Sequence, residues 1–197
     1  MSRHIFSVSS AAILCALSCV AIPARALEFS QPQTSLGVFA GTFTNDGWET
    51  IILTPGEIEW INSNLYGVSL ARDWQTSLKG LRFGIEAQLI QHNGQQDHTE
   101  VNLPLFLRYR ADSPVIPVQG GSFGLGLSYA TEVPEIEVNR KGDSQRLLAH
   151  WYAELEFGTP DWAVYPFLRL HHRSDGYVIA DFDTGSNAVA VGVRFPF

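Results

Sequence analysis

The end of the chain alternates without a break. In Ser186-Asn-Ala-Val-Ala-Val-Gly-Val-Arg-Phe-Pro-Phe197, Asn187, Val189, Val191, Val193, Phe195 and Phe197 share one face of an extended strand. Ser186, Ala188, Ala190, Gly192 and Arg194 take the other face. An apolar face set against a small or polar one, with a terminal aromatic, is the pattern of the strand that closes an outer-membrane β-barrel. The same rhythm recurs upstream. Leu81, Phe83, Ile85, Ala87 and Leu89 oppose Arg82, Glu86 and Gln88; Val101, Leu103, Leu105, Leu107 and Tyr109 oppose Asn102, Arg108 and Arg110. Phe123 to Tyr129 alternates with Gly124, Gly126 and Ser128, and Leu147 to Phe157 with His150, Glu154 and Glu156. Adding Ser35–Thr44, Leu65–Asp73 and Trp162–His172 brings the count of strands to eight.

Alternation alone also suits a soluble β-domain that shows its polar face to water, or one whose apolar faces converge on a lipid-carrying cavity. Two features favour the barrel. The polar faces carry charges of both signs on several strands, which can pair inside a narrow lumen too small to be a pore. The chain also opens with Arg3, a mostly apolar stretch from Ala11 to Ile22 and the small-x-small site Ala24-Arg-Ala26, the marks of a secretory leader too short to span a membrane. The expected fold is all-β, an eight-stranded antiparallel outer-membrane β-barrel forming a single domain over 27–197 after a signal peptide at 1–26. Cys15 and Cys19 fall in that leader, so no disulfide or thiol site is expected in the mature chain. Acylation of Cys19 is a competing reading, but Ala16-Leu-Ser-Cys19 fits that cleavage pattern poorly. Beyond residue 26 the chain carries 20 acids against 11 bases, which argues against a nucleic-acid partner.

With both termini periplasmic, connections should alternate between short inner turns and longer outer loops. Long loops are expected at 45–63, 132–145 and 175–185, a tight turn at Gly158–Asp161, and intermediate ones at 74–80 and 111–119. This places His172, Ser174 and Asn187 at the outer ends of the last two strands, near the headgroups of the outer leaflet. Residues 45–63 stay ambiguous: Trp48–Trp60 reads either as an extra hairpin arm or as part of a large first loop. His150, on an inward face, is expected to be a hydrogen-bond partner in the lumen. The six histidines show no metal-ligand spacing, because the adjacent His171 and His172 point to opposite faces of a strand. No metal or cofactor is expected.

His172-x-Ser174, a loop, Gly185-x-Asn187 and a strand ending in Phe together resemble the PagL family of lipid A 3-O-deacylases. The match of motif covers about the last thirty residues; elsewhere it is a match of layout. The stretches Gly126–Pro134 and Glu154–Gly158 also resemble Gram-negative outer-membrane proteins with no assigned chemistry. The first resemblance implies a lipid-facing esterase acting on lipopolysaccharide of the outer leaflet, with lipid A as substrate. It makes Ser174 the nucleophile and His172 the base. The family's third member is an acid on the last strand; the matching position here is Asn187, with Asp181 or Asp183 as other sources of charge. Where the family has an oxyanion-hole Asn after the serine, this chain has Asp175, so backbone N–H groups such as that of Gly176 would have to serve. The competing reading is a structural or adhesion barrel. In it His172 and Ser174 are tolerated rim residues, Ser174-Asp-Gly176 starts a turn, and Arg169, His171 and Arg173 pair with Glu154 or Glu156.

Overall fold

The computed structural model describes residues 30–112, 117–176, 179 and 183–197. The signal peptide expected at 1–26 and the start of the mature domain at 27 lie outside these residues, as does Asp181. Eight antiparallel strands close into one barrel in sequence order. They are β1 (Ser30–Thr44), β2 (Trp60–Gln75), β3 (Leu81–Gly94), β4 (Thr99–Arg110), β5 (Val118–Ala130), β6 (Leu147–Phe157), β7 (Tyr165–Ser174) and β8 (Gly185–Pro196). Each neighbouring pair follows a nearly continuous ladder, and β1 pairs with β8 from Ser35↔Pro196 to Thr44↔Asn187. Phe197 extends that seam by donating to the Thr34 carbonyl at 2.8 Å. All eight expected strands are present. Several run past the bounds the alternation suggested: β1 starts at Ser30, β2 begins at Trp60 and takes in residues assigned to the first loop, β3 continues to Gly94, β5 spans Val118–Ala130, and β7 runs from Tyr165 to Ser174 instead of 162–172.

The barrel has a wet-looking inside and an oily outside. Val68, Leu103, Leu105, Leu125, Leu127 and Val191 are each about half exposed on the outer wall, as expected where hydrocarbon replaces water. The interior holds the buried charges, and among the described residues every buried guanidinium has a carboxylate. Arg108 meets Asp73 at 2.6 Å, Arg194 meets Glu154 and Glu156 at 2.7 and 2.6 Å, and Arg173 meets Glu137 at 2.7 Å. Arg169 lies between Glu86 (3.0 Å) and Glu154 (2.7 Å). At the short-turn end Arg82 pairs with Asp73 and Arg110 with Glu156. Pairing is obligatory here, since a lone buried charge costs several kcal/mol.

Inward aromatic rings fill the remaining space by lying over glycines directly opposite on the next strand. The pairs are Phe39 with Gly67, Phe106 with Gly84, Tyr152 with Gly124 and Phe167 with Gly192. A Cβ at any of these glycines would come within 2.2–2.5 Å of the facing ring, so the absence of a side chain is what lets the rings fold flat.

The long loops carry two short helices. In the β5–β6 connection, α2 (Glu135–Lys141) stops the long-loop mouth. Its Ile136 joins the core with Phe43, Leu65 and Ile90, while buried Glu137 binds Arg173 and accepts from Ser144 and Ser186. In the β1–β2 connection lies α1 (Trp48–Leu53), followed by a 3₁₀ turn at Pro55–Glu57. The segment is therefore loop with a helix, not a hairpin arm. Helix α1 sits against the outer wall: Trp48 meets the Trp151 ring edge-on at 6.0 Å. Ile51 and Ile52 line a groove of about 700 Å³ with Phe123, Leu155, Leu168 and Leu170.

Candidate functional site

Alternation puts His172 and Ser174 on the outward face of β7, and register puts Asn187 of β8 directly opposite His172. The imidazole turns to that neighbour and not into the lumen. His172 Nδ1–H donates to Asn187 Oδ1 at 2.6 Å. Asn187 Nδ2 donates in turn to the Asp46 carbonyl at 2.9 Å. A carbonyl can only accept, so the amide's orientation is fixed, and with it the tautomer of His172: the proton is on Nδ1 and the lone pair on Nε2. That is the form in which an imidazole acts as a base.

The ring is held on its other side as well. Trp151, across from His172 on β6, lies 4.6 Å away ring to ring, and Phe123 stacks on Trp151 at 5.9 Å. Asp46 is itself fixed, its N–H and carboxylate both bound to Thr44 Oγ1. His172 is half-buried and Asn187 is 2% exposed.

Ser174 ends β7, half-buried, with Gly185 and Ala149 as its cross-strand neighbours. It shares the outward face of His172, two residues away, but no hydrogen bond joins the two side chains. Asp175 and Gly176 follow it and are also half-buried; Gly176 adopts φ +63°, a left-handed turn that suits glycine. Asp183 does not supply charge to His172. Its carboxylate is exposed and binds Lys141 at 2.6 Å. Of the lumen residues, Arg169 pairs with Glu154 as expected, but Arg173 pairs with Glu137, and His171 faces Glu100 at 3.4 Å.

Three contributors escaped the sequence reading: Trp151, which packs on the imidazole; Asp46, whose carbonyl anchors Asn187; and α1, which overhangs the wall. His150 is a hydrogen-bond partner inside the barrel, as expected, through the His172 carbonyl. The spacing of the histidines along the chain suggests no ligand set, yet the barrel gathers His92, His98, His150 and His171 around Glu100 just inside the wall from His172.

No protein-family model matches the chain, and no curated protein matches it in sequence. Among solved structures it is similar to the outer membrane enzyme PagL, with 12% identity over 83% of this chain and 99% of that one, at a TM-score of 0.56. It is also similar to Neisserial surface protein A (NspA), with 13% identity, coverage of 85% and 100%, and a TM-score of 0.49. A third is the N-terminal β-barrel domain of Pseudomonas aeruginosa OprF, with 12% identity, coverage of 85% and 100%, and a TM-score of 0.47. At such identities the likeness is one of fold: this chain is an eight-stranded antiparallel barrel of the outer-membrane type.

Proposed function

We propose that the protein is an outer-membrane esterase of the lipid A 3-O-deacylase kind, releasing a 3-linked acyl chain from lipopolysaccharide. The observation that carries this reading is the 2.6 Å bond from His172 Nδ1 to Asn187, which leaves Nε2 as a free base on the lipid-facing wall beside Ser174. A polar dyad on that face is costly unless it does something.

In the reaction, His172 Nε2 takes the Ser174 hydroxyl proton as Oγ attacks the ester carbonyl. The same proton then passes to the departing 3-oxygen of the sugar, leaving an acyl-serine that water hydrolyses in a second step. Asn187 holds the imidazole in register but, being neutral, stabilises the imidazolium less than a carboxylate would. The Asp175 carboxylate would oppose a developing oxyanion, so backbone N–H groups at the turn through Gly176 take that role. The groove between α1 and the wall, lined by Ile51, Ile52, Phe123 and Leu170, suits an acyl chain leaving the outer leaflet. The long-loop end faces outward in this reading, which sets the dyad at headgroup depth.

A second reading is a barrel without chemistry that serves the envelope structurally or by adhesion. The observation in its favour is that Ser174 and His172 share a face without a hydrogen bond. Mass spectrometry of lipid A from cells expressing the wild type or Ser174→Ala separates the two. Loss of one 3-linked hydroxyacyl chain with the wild type alone is expected. Unchanged lipid A from cells in which the protein is folded in the outer membrane would refute the esterase.

A further inference from the structure

We propose that the barrel interior contains a binding site for a divalent transition-metal ion such as Zn²⁺, formed by Glu100, His150 and His171. The three residues sit on β4, β6 and β7 near the long-loop end, and all are at most 1% exposed. One donor atom from each lies within 4.8 Å of the other two.

The protonation pattern points to ligation. His150 Nδ1–H donates to the His172 carbonyl at 3.0 Å, and because a carbonyl cannot donate, the lone pair of His150 must be on Nε2. That Nε2 is buried without a partner, and so are both ring nitrogens of His171. Unmet buried nitrogens are expensive, and here they converge on a carboxylate. His171 Nε2 stands 3.4 Å from Glu100 Oε1. Ligand atoms around a tetrahedral zinc ion, with bonds of about 2.0–2.1 Å, stand roughly 3.3 Å apart.

The surrounding groups are those that orient ligands. Glu100 Oε2 accepts from His92 Nε2–H at 2.8 Å, and His92 Nδ1 accepts from Gln96 at 3.0 Å. Ser128 Oγ donates to Glu100 Oε1 at 2.9 Å. These bonds occupy both nitrogens of His92, which makes it a support for Glu100 and not a ligand. The buried guanidiniums on the same strand as His171, Arg169 and Arg173, are each paired with a carboxylate, Glu154 and Glu137, at 2.7 Å, which offsets their charge. Two imidazoles and one carboxylate favour zinc-like ions over calcium or magnesium, which want oxygen. A metal bound through His150 would brace from inside the strand segment whose outer side carries His172. The site stands whether or not the outer wall has esterase activity.

The test uses the full-length chain refolded in detergent, stripped with chelator, titrated with Co²⁺ and then Zn²⁺, and desalted. One retained equivalent by elemental analysis is expected, with intense visible bands for Co²⁺ that zinc abolishes. Glu100→Gln and His171→Asn should each bind at least ~10-fold more weakly, the scale on which even outer-shell changes act. His172→Ala, on the opposite face, should bind like wild type. Folding of each variant is checked by heat-modifiable mobility on gels. The proposal is overturned if the wild type retains no metal, or if the folded lumen variants retain as much as it does. Should a variant fail to fold, the wild-type Co²⁺ spectrum decides: weak bands like those of the hydrated ion would also overturn it.

Discussion

Arg169→Met tests whether the paired charges in the lumen hold this barrel together. The side chain is completely buried. Its Nε and Nη2 donate to Glu154 Oε2 at 2.9 and 2.7 Å, and Nη2 lies 3.0 Å from Glu86 Oε1. The guanidinium carbon lies 4.1 Å from the Tyr152 ring centre and 5.0 and 5.1 Å from those of Phe39 and Phe167. Methionine keeps most of the volume and the contact with the rings but removes the charge. Glu154 retains Arg194 at 2.7 Å, whereas Glu86 is left with the neutral donors Gln88 and Tyr152. Removing one partner of a buried pair costs about 3–5 kcal/mol, mainly through the charge left behind, and that loss of stability is expected here. Adding Glu86→Gln removes the orphaned carboxylate and should restore roughly 2 kcal/mol, the scale of an unmet buried polar group. Urea unfolding of the barrel in lipid vesicles, followed by tryptophan fluorescence and gel mobility, measures both. The reasoning fails if Arg169→Met stays within about 1 kcal/mol of wild type, or if the double variant is no more stable than the single one.

Three further outcomes are expected. On the proposed esterase reading, Asn187→Ala should slow release of the 3-linked acyl chain about 100-fold, the penalty of a loosely held base, with gel mobility unchanged; equal rates in the lipid A assay would remove Asn187 from the proposed mechanism. Gly124→Val forces atoms into the space of the Tyr152 ring, 2.4 Å from the Cβ position, and should cost about 1–3 kcal/mol in urea titrations, while Gly56→Ala, with open space around it, should be silent. Leu105→Arg, at mid-strand on the outer wall, should destabilise by ~2–4 kcal/mol, and Leu147→Arg at the long-loop end by no more than ~1 kcal/mol; equal costs would contradict the depth of the barrel in the membrane.

The outer wall was readable because lipid selects side chains one at a time. Leu103 or Val191 faces outward by parity alone, so counting by twos was enough. Parity also placed His172, Ser174 and Asn187 on one surface, and the hydrogen bond between His172 and Asn187 followed from their standing opposite each other. Other features depended on register, which no local pattern fixes. That Trp151 covers His172 requires the β6–β7 alignment, and that His150 and His171 meet Glu100 requires three strands to be placed at once. Metal-ligand spacing rules describe turns and helices, where ligands are near neighbours in sequence, so they were the wrong guide to a cluster built across strands. Helix α1 was hidden for a different reason. Trp48-Glu-Thr-Ile-Ile-Leu53 buries no residue of its own, and the wall it leans on is remote in sequence.

The ladder between β1 and β8 has a consequence for timing. Asn187 belongs to the last strand, and the carbonyl that fixes its amide lies 141 residues earlier, just past the end of the first. The bond that fixes the Asn187 amide therefore crosses the join where the sheet becomes a cylinder. A chain still crossing the periplasm, or inserted with its seam open, has Ser174 and His172 but nothing to set the imidazole's tautomer. On the esterase reading proposed above, competence on this wall is reached only when the final strand docks, and an unfinished barrel is inert toward the membrane lipids it meets on the way.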